Sequence, residues 1–148
     1  LEMDTSLPFL AGKNPFDIHV YFEANDKEKA ATLKRKLMDR FDWLKEGRWN
    51  DRAGRISPHP LPMFEMFGGD PKSIAKVNDV IEWLKKNRGG FSILVHPNTT
   101  YGNVKDHSVH AVWLGEPVGI RFWVFHIQTA IKIGLVLAIG TYAIRSVL

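Results

Sequence analysis

Phe16-Asp17-Ile18-His19-Val20-Tyr21-Phe22-Glu23 alternates apolar with polar side chains and is rich in β-forming residues, the pattern of a strand with one buried and one open face. Phe16, Ile18, Val20 and Phe22 make one face, and Asp17, His19, Tyr21 and Glu23 the other. Working outward, Asn25 or Asp26 is placed to cap a helix. Its apolar residues Ala30, Leu33, Leu37, Phe41 and Leu44 recur at helical spacing as far as the break at Gly47. Arg52 to His59 reads as a short second strand, interrupted by Pro60 and Pro62, and Met63 to Phe67 as a third before Gly68-Gly69. A second helix begins at Asp70 or Ser73, carries Ile74, Val77, Val80, Ile81 and Leu84, and ends at Arg88-Gly89-Gly90. Phe91 to Val95 is a fourth strand that stops at His96-Pro97.

The order β-α-β-β-α-β is the split βαβ arrangement of α+β, ferredoxin-like folds, an antiparallel sheet with two helices on one face. With Ile18/Val20/Phe22, Phe64/Met66 and Ile93/Val95 turned toward the helices, His19, Tyr21, Glu65, Ser92 and His96 fall on the opposite face. The first and third strands are central in this fold and the fourth lies beside the first. His19, Glu65 and His96 therefore meet on the open face, provided that no strand slips by one residue.

Composition narrows the function. At 148 residues and 45% hydrophobic content the chain can bury one core. Its net charge of +4 comes from scattered residues with no basic run interleaved with aromatics, which argues against nucleic-acid binding. With no cysteine, disulfides, thiolate zinc sites and cysteine nucleophiles are excluded, in keeping with a reducing, cytoplasmic setting. Any metal must be held by His, Asp or Glu. Two histidines and a carboxylate with open positions form the pattern suited to oxygen-using Fe(II) sites, and His19, His96 and Glu65 are the residues the strand parity supplies.

Leu1 to Gly12 has neither the basic start nor the apolar stretch of a secretory signal, and residues 1–15 read as a loose arm. Residues 119–148 are a strongly apolar segment. Phe122 to Ile144 has the length of a membrane span, with Trp123 and Arg145 at interfacial positions. Lys132 near its middle, at about 3 kcal/mol on insertion scales, makes a membrane anchor the less favoured reading beside a docked helix or a splice-variant or gene-model tail.

Five stretches in order resemble the signature blocks of the DOPA 4,5-dioxygenase family: Phe16 to Phe22; Ser57-Pro58-His59-Pro60-Leu61-Pro62-Met63-Phe64-Glu65; Leu94-Val95-His96-Pro97-Asn98-Thr99; Asp106-His107; and Trp113-Leu114-Gly115-Glu116-Pro117. The resemblance covers residues 16–118. It implies a ferredoxin-like domain and a non-haem, Fe(II)-dependent extradiol dioxygenase that uses O2 to open a catechol such as L-DOPA by 4,5-cleavage, giving a muconic semialdehyde (seco-DOPA). Zinc or another divalent metal could occupy the site on purification, and a homodimer is compatible with it.

In that light His59 joins His19, His96 and Glu65 as a metal-ligand candidate, and His107 or His59 is suited to proton transfer near neutral pH. Asp106 would orient His107, Tyr21 would wall the pocket, and Arg55 or Arg88 would grip a substrate carboxylate. After Pro117 the family ends in a short extended tail, whereas this chain continues into its apolar segment. The alternative is therefore a catalytically inactive binding or dimerisation module of the same family.

Overall fold

A computed structural model describes the chain over residues 1–145, with side chains described for residues 1–135. Its elements are β1 (Phe16–Tyr21), α1 (Lys27–Arg40), β2 (Leu44–Asn50), β3 (Met63–Gly68), α2 (Val77–Asn87), β4 (Ser92–Pro97), α3 (Asn103–Asp106), β5 (Val112–Leu114) and α4 (Trp123–Arg145). The strands form one antiparallel sheet in the order β2-β3-β1-β4-β5, a ferredoxin-like α+β arrangement extended by an edge strand.

The alternation in β1 decides the layering. Ile18 pairs with Met66 on one side and Val95 on the other, and Val20 with Phe64 and Ile93. All six are buried against Leu33 and Leu37 of α1 and Val80, Ile81 and Leu84 of α2. Each such aliphatic or aromatic side chain contributes about 1.5–3 kcal/mol through burial. The odd positions turn to the other face, where His19 lies opposite Glu65 and Leu94, and Asp17 opposite His96.

The second strand lies earlier than the sequence pattern suggests. Helix α1 ends at Arg40, the Leu44 N–H donates to the Phe41 carbonyl at 3.0 Å, and the chain turns straight into β2. Leu44 is buried as a strand residue, so its helical spacing from Phe41 is coincidental. Arg52 to His59 form no strand but part of a turn-rich loop, as expected where Pro58 and Pro60 lack ladder donors. The edge strand β5, three residues long, is too short to announce itself in the sequence.

The N-terminal arm and the first turn of α4 are both tied to the domain. The arm expected to be loose is pinned by Met3, whose N–H donates to Asn78 Oδ1 at 2.8 Å and whose carbonyl accepts from Asn78 Nδ2 at 3.1 Å. The Leu10 N–H also donates to the Asn98 carbonyl. At the other end Val124 and Phe125 are buried, so the domain continues past residue 118. Among the described residues no helix is long and apolar enough to cross a membrane. The interfacial position expected for Arg145 falls outside the side chains described.

Candidate metal centre

Strand parity puts the first two imidazoles together. His19 Nε2 and His96 Nε2 are 3.0 Å apart, and their rings stack at 5.1 Å between centroids. The third comes from the connection after β4. Gly102, at φ 90°, a backbone conformation that favours glycine, admits the short helix α3, and His107 follows it with its ring 3.8 Å from that of His96. The turn is held by Asp106, whose carboxylate accepts from the Thr99 N–H at 2.9 Å and the Thr99 hydroxyl at 2.5 Å. Asp106 thus clasps Thr99 and does not orient His107.

His107 Nδ1 donates to the Asn103 carbonyl and His96 Nδ1 to the Pro97 carbonyl, both at 2.9 Å. Each bond fixes the tautomer and leaves Nε2 with a free lone pair. His19 Nδ1 faces the Met63 sulfur at 3.1 Å. One ligand atom from each of His19, His96 and His107 lies within 4.8 Å of the others. Burial holds His19 well below the usual histidine pKa and His107 down at about 2, and the neighbouring imidazoles push in the same direction. Uncharged nitrogens with their far sides occupied are the state a cation requires, so the residues present fit a divalent metal.

His59 stands one layer back. Its ring is 4.1 Å from that of His19, and its Nδ1 shares a hydrogen bond with the Tyr21 hydroxyl at 2.7 Å. Burial keeps the Tyr21 phenol well above its ordinary pKa and pushes His59 down to about 3. The Tyr21 hydroxyl thus keeps its proton; donated to His59 Nδ1, it would place the imidazole proton on Nε2 and make that nitrogen a hydrogen-bond donor. Tyr21 itself packs with Met63, Leu94 and Trp113 behind the cavity and does not line it.

The histidines floor a cavity of about 400 Å³, within the 300–1,000 Å³ usual for small-molecule sites. Glu65 lines it without joining the three imidazoles. Its Oε2 accepts from the Arg48 N–H and Nε at 3.2 and 3.3 Å. A register shift in β2 between Glu46 and Trp49 lays that strand over the side chain, and a Cβ on Gly47 would sit 2.8 Å from Glu65 Cγ. Arg55 is exposed and outside the lining, whereas Arg48 and Arg52 are part of it. Arg88 lies elsewhere, its Nη1 donating to the Phe91 carbonyl.

Asp17 is a further carboxylate of the cavity, 3.9 Å from His96 Nε2 and held by Asn14 Nδ2 at 2.5 Å and Asn98 Nδ2 at 2.8 Å. Burial raises its pKa, against the opposing pull of His96 and the two amides. Its signal was its parity with His19 on the open face of β1. Phe125 and Gln128, from the apolar segment, also line the cavity.

The model of the Dopa 4,5-dioxygenase family matches residues 16–124. An uncharacterized 21.2 kDa protein of Botryotinia fuckeliana is 36% identical over 115 residues, which cover 70% of this chain and 59% of that protein. The chain thus spans about three fifths of the length of this curated relative. The crystal structure of a candidate dioxygenase from Nostoc punctiforme aligns with a TM-score of 0.67 at 35% identity, covering 78% of this chain and 93% of the other.

Proposed function

Because the chain belongs to the Dopa 4,5-dioxygenase family, we propose that it is a non-haem Fe(II) dioxygenase that opens the ring of a catechol such as L-DOPA by extradiol 4,5-cleavage. The observation that carries this reading is the convergence of three buried imidazoles, His19, His96 and His107, at the floor of a cavity. Iron(II) held by them would supply a Lewis-acidic centre at which catechol and O2 are brought together.

The surrounding residues have separate tasks. His59, its tautomer set by Tyr21, offers an Nε2–H to an oxygen of the substrate. Asp17, less acidic than an ordinary carboxyl because of its burial, is a base suited to accept a phenolic proton. Arg48, paired with Glu65, keeps that carboxylate from competing with the imidazoles for a cation. The three-histidine set replaces the pattern of two histidines and Glu65 that strand parity alone suggests. His107 thereby moves from proton carrier to ligand.

Protein loaded with Fe(II) under anaerobic conditions and then mixed with oxygen is expected to consume O2 in step with loss of a catechol and to form a coloured ring-opened product. No O2 uptake across a panel of catechols, by protein verified to hold iron, would overturn the proposal and favour a non-catalytic binding module.

A further inference from the structure

The family match ends at residue 124, but the cavity does not. The first turn of α4 drives Val124 and Phe125 into the domain, leaving them 0% and 6% exposed. The Phe125 ring lies 4.7 Å from that of His107, centroid to centroid, and forms part of the cavity wall. Gln128, three residues on and so on the same helix face, lines the cavity as well. The loop carrying His59 makes a neighbouring wall, and Arg121 ties the two together. Its N–H donates to the Pro58 carbonyl at 2.9 Å and its Nη1 to the Gly54 carbonyl at 3.0 Å. The first turn of α4, with Phe125, is therefore held in a fixed relation to His59 and His107, as a selective wall requires, and the exposed Gln128 lies one turn further along.

We propose that Phe125 and Gln128 are specificity residues of this site: the Phe125 ring packs against the ring of the substrate, and the Gln128 amide receives a hydrogen-bonding arm attached to that ring. The inference rests on the catechol reading above and adds to it a preference for catechols with a polar arm over those with an apolar one. An amide both donates and accepts, so glutamine serves an arm of either charge. Replacing it by a charged group separates the two.

The test measures dissociation constants for the Fe(II)-loaded protein without oxygen, using catechols that carry at ring position 4 a methyl, an aminoethyl or a carboxyethyl group. Relative to the methyl probe, Gln128→Glu is expected to weaken the carboxylate probe and strengthen the amine probe by about fivefold each, the scale of a partly exposed charge pair. Gln128→Leu is expected to weaken both polar probes and spare the methyl probe. Phe125→Leu is expected to weaken all three alike by about fivefold, the scale of a lost aromatic contact, with iron per chain unchanged. Equal shifts or none in the Gln128 variants, with wild-type binding intact, overturn the role of Gln128, and undiminished binding by Phe125→Leu overturns that of Phe125. Failure of the wild-type protein to bind any of the three probes overturns the catechol reading, and this inference with it.

Discussion

His19 Nε2 lies 3.0 Å from His96 Nε2, although the two residues are 77 positions apart in the chain. His96 commits its Nδ1 proton to the Pro97 carbonyl, so without a metal the contact is held by one proton, on His19 Nε2. A cation bound here would take the place of this proton, with both nitrogens as donors. His19→Ala, His96→Ala and His107→Ala are each expected to lower Fe(II) and Zn(II) affinity by more than about a hundredfold, beyond the 10- to 100-fold cost of losing an outer partner. Competition against a chelator measures this, and undiminished affinity in His107→Ala would remove it from the donor set.

With Nε2 given to a metal, the His19 proton would sit on Nδ1, where the Met63 sulfur, at 3.1 Å, would accept it. Met63→Leu keeps the volume of the side chain and removes that acceptor. Metal affinity is expected to fall about tenfold, the lower end of the range for such outer partners, while Met63→Gln, which restores a hydrogen-bond acceptor, recovers part of it. Equal affinities in wild type and Met63→Leu would reduce Met63 to a packing residue.

Tyr21→Phe deletes the hydroxyl bonded to His59 Nδ1 and leaves the ring between Met63 and Trp113. Iron content is expected to stay the same and kcat to fall about a hundredfold, the lower range for loss of a proton-transfer group. A variant that loses iron as well would show that Tyr21 supports the fold of the site and not the chemistry of His59.

Acid is expected to destabilise the metal-free protein. In the unfolded chain these histidines titrate near 6.5, whereas burial holds His59 near 3, His107 near 2 and His19 well below its usual value. Below pH 6.5 the unfolded chain takes up protons that the folded chain refuses, so stability is complete above that pH and falls as the pH drops toward 3. The slope is about 1.4 kcal/mol per pH unit for each histidine. Asp17 works in the opposite sense, since its raised pKa lets the folded state bind a proton more readily than the unfolded one. Urea midpoints at about pH 7.5 and about pH 5.5 should differ accordingly, and less so in His59→Gln.

The central sheet was legible because β1 alternates apolar with polar residues, and carrying its parity across to β3 and β4 assigns Ile18, Met66 and Val95 to the core and His19 and His96 to the open face. β2 was not, because Leu44 satisfies helical spacing and is buried in either arrangement. That one displacement hid several residues of the site. Without β2 in place, Arg48 cannot be seen over Glu65, and the cationic edge of the cavity is sought at Arg55 in place of Arg48 and Arg52. His107 as a third donor depends on a loop clasped by Thr99 and Asp106, contacts that no periodicity encodes. Phe125 and Gln128 were concealed by the apolar composition around them, which reads as a segment apart from the domain.

β1 carries core and site on alternate residues, with Ile18 sealed beneath the helices and His19 among the donors of the candidate metal centre. Substitutions along it can therefore retune one side without disturbing the other, but its length is frozen. Deleting Asp17 would face the His19 imidazole into the hydrocarbon interior and Ile18 into the cavity. For the lineage of this chain, β1 is open to point mutation and closed to insertion or deletion, whereas the 51–62 loop is free to change in length wherever it leaves His59 and the Arg121 tie in place.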